Sequence, residues 1–419
     1  MTAPATTSVA PRNRFAGWWV VASVFLLFVT SAGLAFYGLA VYLDALTDEQ
    51  GFSTTSVSLA TSMFFVISGI TGRLIAPLIE TRDMRWVIAA GGVISSASLY
   101  ALGSIDSIPK LYGVYAMFAV GFALCGLVPG TTLITRWFHT RRSVALSVAS
   151  TGLSVGGLTL TKVASSLIDN RGLADASPIL AGIFFVLVAI ALPTMWPSPA
   201  SRGTIPDGVE HPPDSETAAE LSASVDYDTA IHSRFFLFIL IGFVFAMGSQ
   251  VGGLSQLAKL GTERIDRSTG ALALSALAGT SVIARLIGGV LLEKMAIMKF
   301  TSALAIVQGG ALVSLAFADS ATGLVLSAVL FGATIGNLLM LQPLIVAAAF
   351  GVENYPRIFA FMQLIVTVGV AGGPFLLGAL HDAASYQTAY LVGACVSVAG
   401  GIAFAMTGTW RPTPATVTT

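Results

Sequence analysis

Polar residues interrupt this chain as narrow breaks between long apolar runs, and the spacing of the breaks predicts twelve membrane-crossing helices. The runs fall at approximately 16–42, 53–78, 86–104, 109–134, 143–168 and 178–196, and again at 234–258, 268–292, 299–318, 321–346, 357–380 and 387–409. Each approaches the roughly 20 apolar residues that a spanning helix needs. An even number of crossings returns the chain to the side on which it started. The longest polar stretch, 197–233, is rich in Pro, Ser, Thr and acidic residues and divides the runs into two sets of six. The expected organisation is a tail at 1–15, a six-helix bundle at 16–196, a solvated acidic linker at 197–233, a second bundle at 234–409 and a tail at 410–419.

Composition narrows the class. Hydrophobic residues make up 55% of the chain and charged residues 10%, against roughly 25% charged in a soluble domain. A soluble protein with a single anchor is excluded, and the lipid bilayer is the first partner. The formal net charge is zero, so nothing points to nucleic acid. Cys125 and Cys395 both lie inside apolar runs, where a thiol behaves as a small hydrophobe, and neither a disulfide framework nor a metal site is indicated. Phosphate loops, dinucleotide glycine fingerprints and metal-ligand clusters are missing, so the expectation is a protein without cofactors that is not an enzyme.

Basic residues orient the spans. Fourteen lie in segments on the side of the termini, among them Arg12, Arg14, Arg73, Arg82, Arg85, Arg141, Arg142 and Arg357, against five on the other side, Lys110, Arg171, Lys259, Arg264 and Arg267. The excess of basic residues in cytoplasmic loops places both termini in the cytoplasm of a cell bounded by this plasma or inner membrane. The first run is too long for a signal-peptide core.

The two halves repeat weakly. GRLIAPLIETRDMRW (Gly72 to Trp86) stands between runs two and three, and ARLIGGVLLEKMAIMK (Ala284 to Lys299) between runs eight and nine. Both pass from Arg-Leu-Ile to a glutamate at the membrane edge, Glu80 or Glu293. RRSVALSVASTG (Arg141 to Gly152) and PRIFAFMQLIVTVG (Pro356 to Gly369) correspond in the same way. Internal repeats of this kind are the mark of transporters whose halves rock around a midplane site.

Within the eighth run, Ser268 to Glu293, one charge stands alone. Arg285 lies eight residues before Glu293, about 12 Å along the helix. Burying its guanidinium in a bilayer costs at least ~2.5–3.5 kcal/mol, which makes an intramembrane arginine a functional-site hypothesis by default. A guanidinium offers forked donors that match a carboxylate. The candidate substrate contacts are Arg285, with Tyr37 and Phe36 in the first run, Asn337 in the tenth, Gln363 in the eleventh and Lys162 toward the far end of the fifth. Phe331 is a further candidate for the wall that sets substrate size. The same polar side chains also suit inter-helix bonding, as do Gln250 and Gln342, and Lys162 also suits a lysine that snorkels to the headgroups. Candidate gating residues are Arg73, Glu80, Arg141, Arg142 and Glu293. Aspartate, glutamate and histidine all fall near run ends or in loops, leaving proton entry with the substrate, or anion exchange, as the two coupling routes.

RWFHTRRSVALSVASTGLSVGG (Arg136 to Gly157) resembles the joint before the fifth helix of the monocarboxylate transporters and oxalate/formate antiporters, a group within the major facilitator superfamily. AGWWVV at Ala16 to Val21, FGVENYPRIFAF at Phe350 to Phe361 and GGPFLLGALHDAASYQTAY at Gly372 to Tyr390 are similar to other segments of that group. The resemblance runs from Phe15 to Gly408. It implies an all-α fold of twelve transmembrane helices in two pseudo-symmetric six-helix bundles, and it implies that Arg285 receives the carboxylate of a small organic acid. Departures refine this. Ser281 stands where the mammalian branch has an aspartate four residues before the arginine, and Tyr37 aligns approximately with its first-helix lysine. The lysine associated with oxalate has no counterpart near Gln363, which favours a monoanion over a compact dianion. The sequence therefore predicts a secondary transporter of a small organic monocarboxylate, by symport or antiport. Efflux of a hydrophobic drug or metabolite is the alternative, and a non-transporting membrane sensor the third reading.

Overall fold

The computed structural model describes residues 15–208 and 225–408, and among them every regular element is helical. Eleven helical stretches are long and apolar enough to cross a membrane, and one of these, Arg142–Thr194, is two spans in one. Its helix Arg142–Ala191 breaks at Gly172 (φ 76°, ψ 162°), a conformation that glycine adopts without a Cβ penalty. The next amide, Leu173 N–H, donates to the Glu49 carboxylate at 2.7 Å, so the carboxylate satisfies a donor at the new helix start. Counted this way there are twelve spans: Gly17–Asp48, Ser56–Thr81, Met84–Leu102, Ile108–Trp137, 142–171, 173–191, Arg234–Arg264, Ser268–Leu291, Ile297–Ala316, Ala321–Phe350, Tyr355–Ala383 and Tyr386–Ala405. Below they are spans one to twelve. Residues 15 and 408 lie at the same end, called the near end.

Capping chemistry explains where the spans begin. Ser53, Asp83, Ser233, Asp266, Ser320 and Ser385 each accept a backbone N–H of the following first turn, as N-cap side chains do. Arg85 also donates to Asp83, at 2.7 Å, and these bonds hold the Asp83 carboxyl below the usual carboxylate range. In the equivalent loop of the second half Ala296 precedes span nine without a side-chain cap.

Lipid removes the hydrophobic drive between helices, so close packing and internal hydrogen bonds hold the bundles together. Small residues supply the packing where span one meets span five and span seven meets span eleven. A Cβ at Gly33 would lie 2.5 Å from Gly156 O, and one at Gly252 would lie 2.8 Å from Gly373 O. Gln308 in span nine supplies hydrogen bonds, its Nε2 donating to Ala246 O (2.9 Å), Ser249 Oγ (3.1 Å) and Ser397 Oγ (3.0 Å). Cys125 packs as expected, buried with its thiol on Gly121 O at 3.1 Å, whereas Cys395 is exposed on the outside of the bundle.

The linker departs from the solvated loop expected of it. Trp137 Nε1 donates to Trp196 O at 2.8 Å and the Arg202 guanidinium sits 4.4 Å over the Trp196 ring. The Asp207 carboxylate accepts His139 N–H at 2.9 Å and Thr140 N–H at 2.7 Å, which ties the linker to the start of span five. After the undescribed residues 209–224 the chain docks again, Val225 N–H donating to Phe350 O at 3.1 Å. The expected tails, including Arg12 and Arg14 but not Phe15, lie outside the described residues.

Candidate functional site

Arg285 is 2% exposed. Its Nε donates to Gly336 O in span ten at 2.9 Å, and Nη1 donates to Ser150 O in span five, across the boundary between the halves. Ser147 Oγ, one turn earlier in span five, donates to Arg285 O. The arginine thus sits in a seam where span eight lies against span five, and among the described residues no carboxylate pairs with it. A guanidinium has five N–H donors; two are spent on these carbonyls, which leaves three.

Tyr37 faces this arginine from span one. It lies deep within the molecule yet stays 38% exposed, and it is close enough to Arg285 to interact electrostatically. Depth with accessibility is the property of a cavity wall. Phe36 adds an aromatic edge, packing T-shaped on Tyr37 (5.0 Å) and on Phe65 of span two (5.6 Å).

Burial along the spans shows which way the cavity opens. In span five Ser143, Ala145, Leu146, Ser147, Ala149 and Ser150 are buried, whereas Leu158, Thr159, Lys162 and Val163 are exposed. Span eleven runs the same way, from buried Ile358, Phe359 and Ala360 to exposed Ala371, Gly372, Phe375 and Leu376. The halves meet at the near end and part toward the far end. Polar contacts agree. At the near end Arg357 pairs with Glu80 at 2.8 Å, Tyr355 Oη donates to Thr131 Oγ1 at 2.9 Å, and Arg73 Nη2 donates to Tyr227 Oη at 2.9 Å. At the far end the Glu49 carboxylate receives Leu173 N–H, and Arg264 Nη1 donates to Ala316 O at 3.0 Å, each within one half.

The residues singled out from the sequence separate into groups. Tyr37 and Phe36 pack on each other, and Tyr37 is near enough to Arg285 to interact with its charge. Lys162 is exposed farther out in span five. Asn337 is 3% exposed, and its amide donates to Ala284 O (2.9 Å) and Ala333 O (3.1 Å), so it props span eight beside the arginine. Gln363 is half-buried in span eleven with its Oε1 unpartnered, as are Gln250 Oε1 and both amide atoms of Gln342. Phe331 is fully buried, packed beside Gly253 and Leu312; it belongs to the core of the second half, which corrects its expected place in the cavity wall. Of the gating candidates, Glu80 bridges the halves through Arg357, whereas Arg73 reaches the linker at Tyr227. Arg142 instead turns into its own half, its Nε on Phe138 O at 3.0 Å, while Arg141 and Glu293 are exposed. Sequence reasoning passed over Ser147, Ser150, Thr131 and Tyr227. The first two act on or through backbone carbonyls, which no residue pattern advertises.

Two bundles joined at one end, open at the other, with a cation buried where they meet, define a membrane transporter. The chain belongs to the major facilitator superfamily, whose profile matches residues 23–341 and 265–419. It is 23% identical to monocarboxylate transporter 2 of Meriones unguiculatus over 97% of this chain and 86% of that one. To the oxalate:formate antiporter of Oxalobacter formigenes it is 25% identical over 42% of each chain. Among solved structures it is similar in fold to the major facilitator transporter FucP in its outward conformation, with TM-score 0.73 and 17% identity over 93% of this chain and 98% of that one. The human organic anion transporter MFSD10 also matches, with TM-score 0.69 and 12% identity over 94% of this chain and all of that one (100%).

Proposed function

We propose that this transporter carries a small organic monocarboxylate by alternating access, exchanging one anion for another across a plasma or inner membrane. The observation that carries the reading is Arg285, a guanidinium 2% exposed and held by carbonyls, without an acidic partner among the described residues. Its remaining donors suit a carboxylate in forked geometry, and a single negative charge on the substrate neutralises it. Tyr37 is the second polar contact, and Phe36 borders the organic part of the substrate. Relatives that carry monocarboxylate or oxalate and formate in their names support the class.

The same charge argument favours exchange. With anion bound, the moving site is neutral; empty, it must reorient with an uncompensated cation, at a cost of the order of ~2.5–3.5 kcal/mol. Among the described residues the spans place neither a carboxylate nor a histidine beside Arg285 to bring a proton instead. With both termini cytoplasmic, as the basic loops favour, the near end is the cytoplasmic gate, and Arg73, Glu80 and Arg357 hold it shut in an outward-open state.

Counterflow in proteoliposomes tests this. Labelled lactate, pyruvate or benzoate should accumulate faster into vesicles loaded with the unlabelled acid than into empty ones, and Arg285→Gln should cut both uptakes by about 100-fold. Uptake unchanged in Arg285→Gln would sink the clamp. Uptake into empty vesicles that a proton gradient drives as fast as counterflow would replace exchange by symport.

A further inference from the structure

Span one is not an α-helix throughout. Gly17–Ser31 and Gly38–Asp48 are α-helical, but Ala32–Phe36 form one wider π turn, in which Tyr37 N–H donates to Ala32 O, five residues back, at 2.8 Å. No proline lies between Gly17 and Asp48, so no helix breaker imposes the turn. Single π turns inside α-helices are rare and occur frequently at functional sites. Hydroxyls prop this one from two sides. Thr161 Oγ1 of span five donates to Gly33 O at 3.1 Å, and Tyr42 Oη, fully buried, donates back to Leu34 O at 2.8 Å. Tyr37 comes directly after the turn. Its ring lies where a side chain at residue 157 would otherwise stand: a Cβ on Gly157 would be 2.8 Å from two of its ring carbons.

We propose that Tyr42 and Thr161 are positioning residues that hold span one in its π turn and thereby aim Tyr37 at the anion on Arg285. The identity of that anion rests on the monocarboxylate reading; the placement of Tyr37 does not. Residues in an α-helix advance by about 100° each, so trading the π turn for α-helical bonding shifts the phase of the rest of span one by about one residue and turns Tyr37 away from the cavity. Without the Tyr42 hydroxyl, Leu34 O loses a buried hydrogen bond, which weakens the support of the π turn against ordinary i to i−4 bonding. Span seven occupies the corresponding place in the second half and runs as one α-helix, Arg234–Arg264, so the device belongs to one half alone.

Thiol accessibility reads the placement directly, whatever the substrate. In the full-length carrier in proteoliposomes, Tyr37→Cys should react readily with a membrane-impermeant thiol reagent, against a control carrying only Cys125 and Cys395. Adding Tyr42→Phe or Thr161→Val should slow that reaction by about fivefold or more, the worth of one lost hydrogen bond of ~1 kcal/mol. A rate within about twofold in both combinations, far below the effect of that lost bond, would overturn the proposal. Should Tyr42→Phe fail to fold by thermal melting, Thr161→Val carries the test, since it removes one hydroxyl at similar volume. In the otherwise native carrier, Tyr42→Phe should raise the KM for a transported carboxylate while keeping its maximal rate, and should add nothing in a Tyr37→Phe background. A loss of maximal rate with KM unchanged would mean a purely structural role and would also overturn it. If lactate, pyruvate and benzoate all fail to bind the native carrier, the monocarboxylate reading falls and the labelling rates still decide the placement of Tyr37.

Discussion

Two seams join the halves at the near end, and the sequence repeat makes them equivalents: span two against span eleven, and span eight against span five. They are closed by different physics. In the first, Glu80 and Arg357 form an ion pair at 2.8 Å whose side chains keep 15% and 38% of their surface. In the second, the matching glutamate, Glu293, is exposed, and the arginine that opens span five, Arg142, bonds to Phe138 O in its own half. That seam closes deeper, through Arg285 on Ser150 O and Ser147 on Arg285 O. The difference separates tasks. A partly buried pair, whose arginine still reaches water, lies between a surface ion pair worth roughly 0–1 kcal/mol and a fully buried one, and it suits a gate that opens and closes. A buried guanidinium shared between carbonyls of both halves is tied to closure of the near end, and under the proposed function it would answer to a bound anion as well.

The largest effect expected is at the buried seam. Arg285→Gln removes charge and fork together and should cut carboxylate transport by about 100-fold, as loss of paired charge-assisted bonds of ~1.5–3 kcal/mol implies. Arg285→Lys should recover little of it, because the forked geometry stays lost; initial rates of counterflow measure both. Next comes the packing of the same seam. A Cβ at Gly289 would lie 2.5 Å from Ser147 Cβ, so Gly289→Val should oppose closure of the near end by ~1–3 kcal/mol of overpacking. Thiol probes placed near Ser143 should become accessible from the near side. Glu80→Gln should change turnover by about fivefold or more, since it breaks a partly buried pair, and Glu293→Gln by less than about twofold, since an exposed charge away from such pairs contributes little. An equal effect of the two glutamate variants would erase the asymmetry.

The smallest effect belongs to the loops behind the seams. Asp83 caps span three, and Arg85 depresses its pKa. A carboxylate with a lowered folded pKa contributes stability that is complete above its unfolded value of about 3.9 and fades as pH falls through the folded value. Thermal melting between neutral and acid pH should therefore show a modest acid loss that Asp83→Asn removes. The second half has no counterpart to lose, because Ala296 offers no cap.

Much of this was legible in the residues. The spans followed from run length, although the break at Gly172 fell inside one continuous helix and the first span reached Asp48, beyond its predicted end at 42. Arg285 and Tyr37 were singled out and lie within electrostatic reach of each other, with Phe36 packed on Tyr37. Asn337 and Phe331 were also singled out, but they packed into the second half, because apolar and amide side chains in a span look the same whether they face a neighbour or a cavity. Gln308, with its three donated bonds, drew no notice for the same reason.

The sequence alone therefore determined everything that water and lipid sort by transfer energy: the number of spans, the even topology, the bias of basic loops, and the one arginine whose burial demands an explanation. The tertiary structure decided the rest. It chose which of two equivalent glutamates pairs, which carbonyls receive Arg285, and that span one takes a π turn ahead of Tyr37. These outcomes depend on backbone atoms brought together across 100 or more residues, as Arg285 and Ser150 are. Every residue carries the same N–H and C=O, so their meeting leaves no mark in the order of side chains.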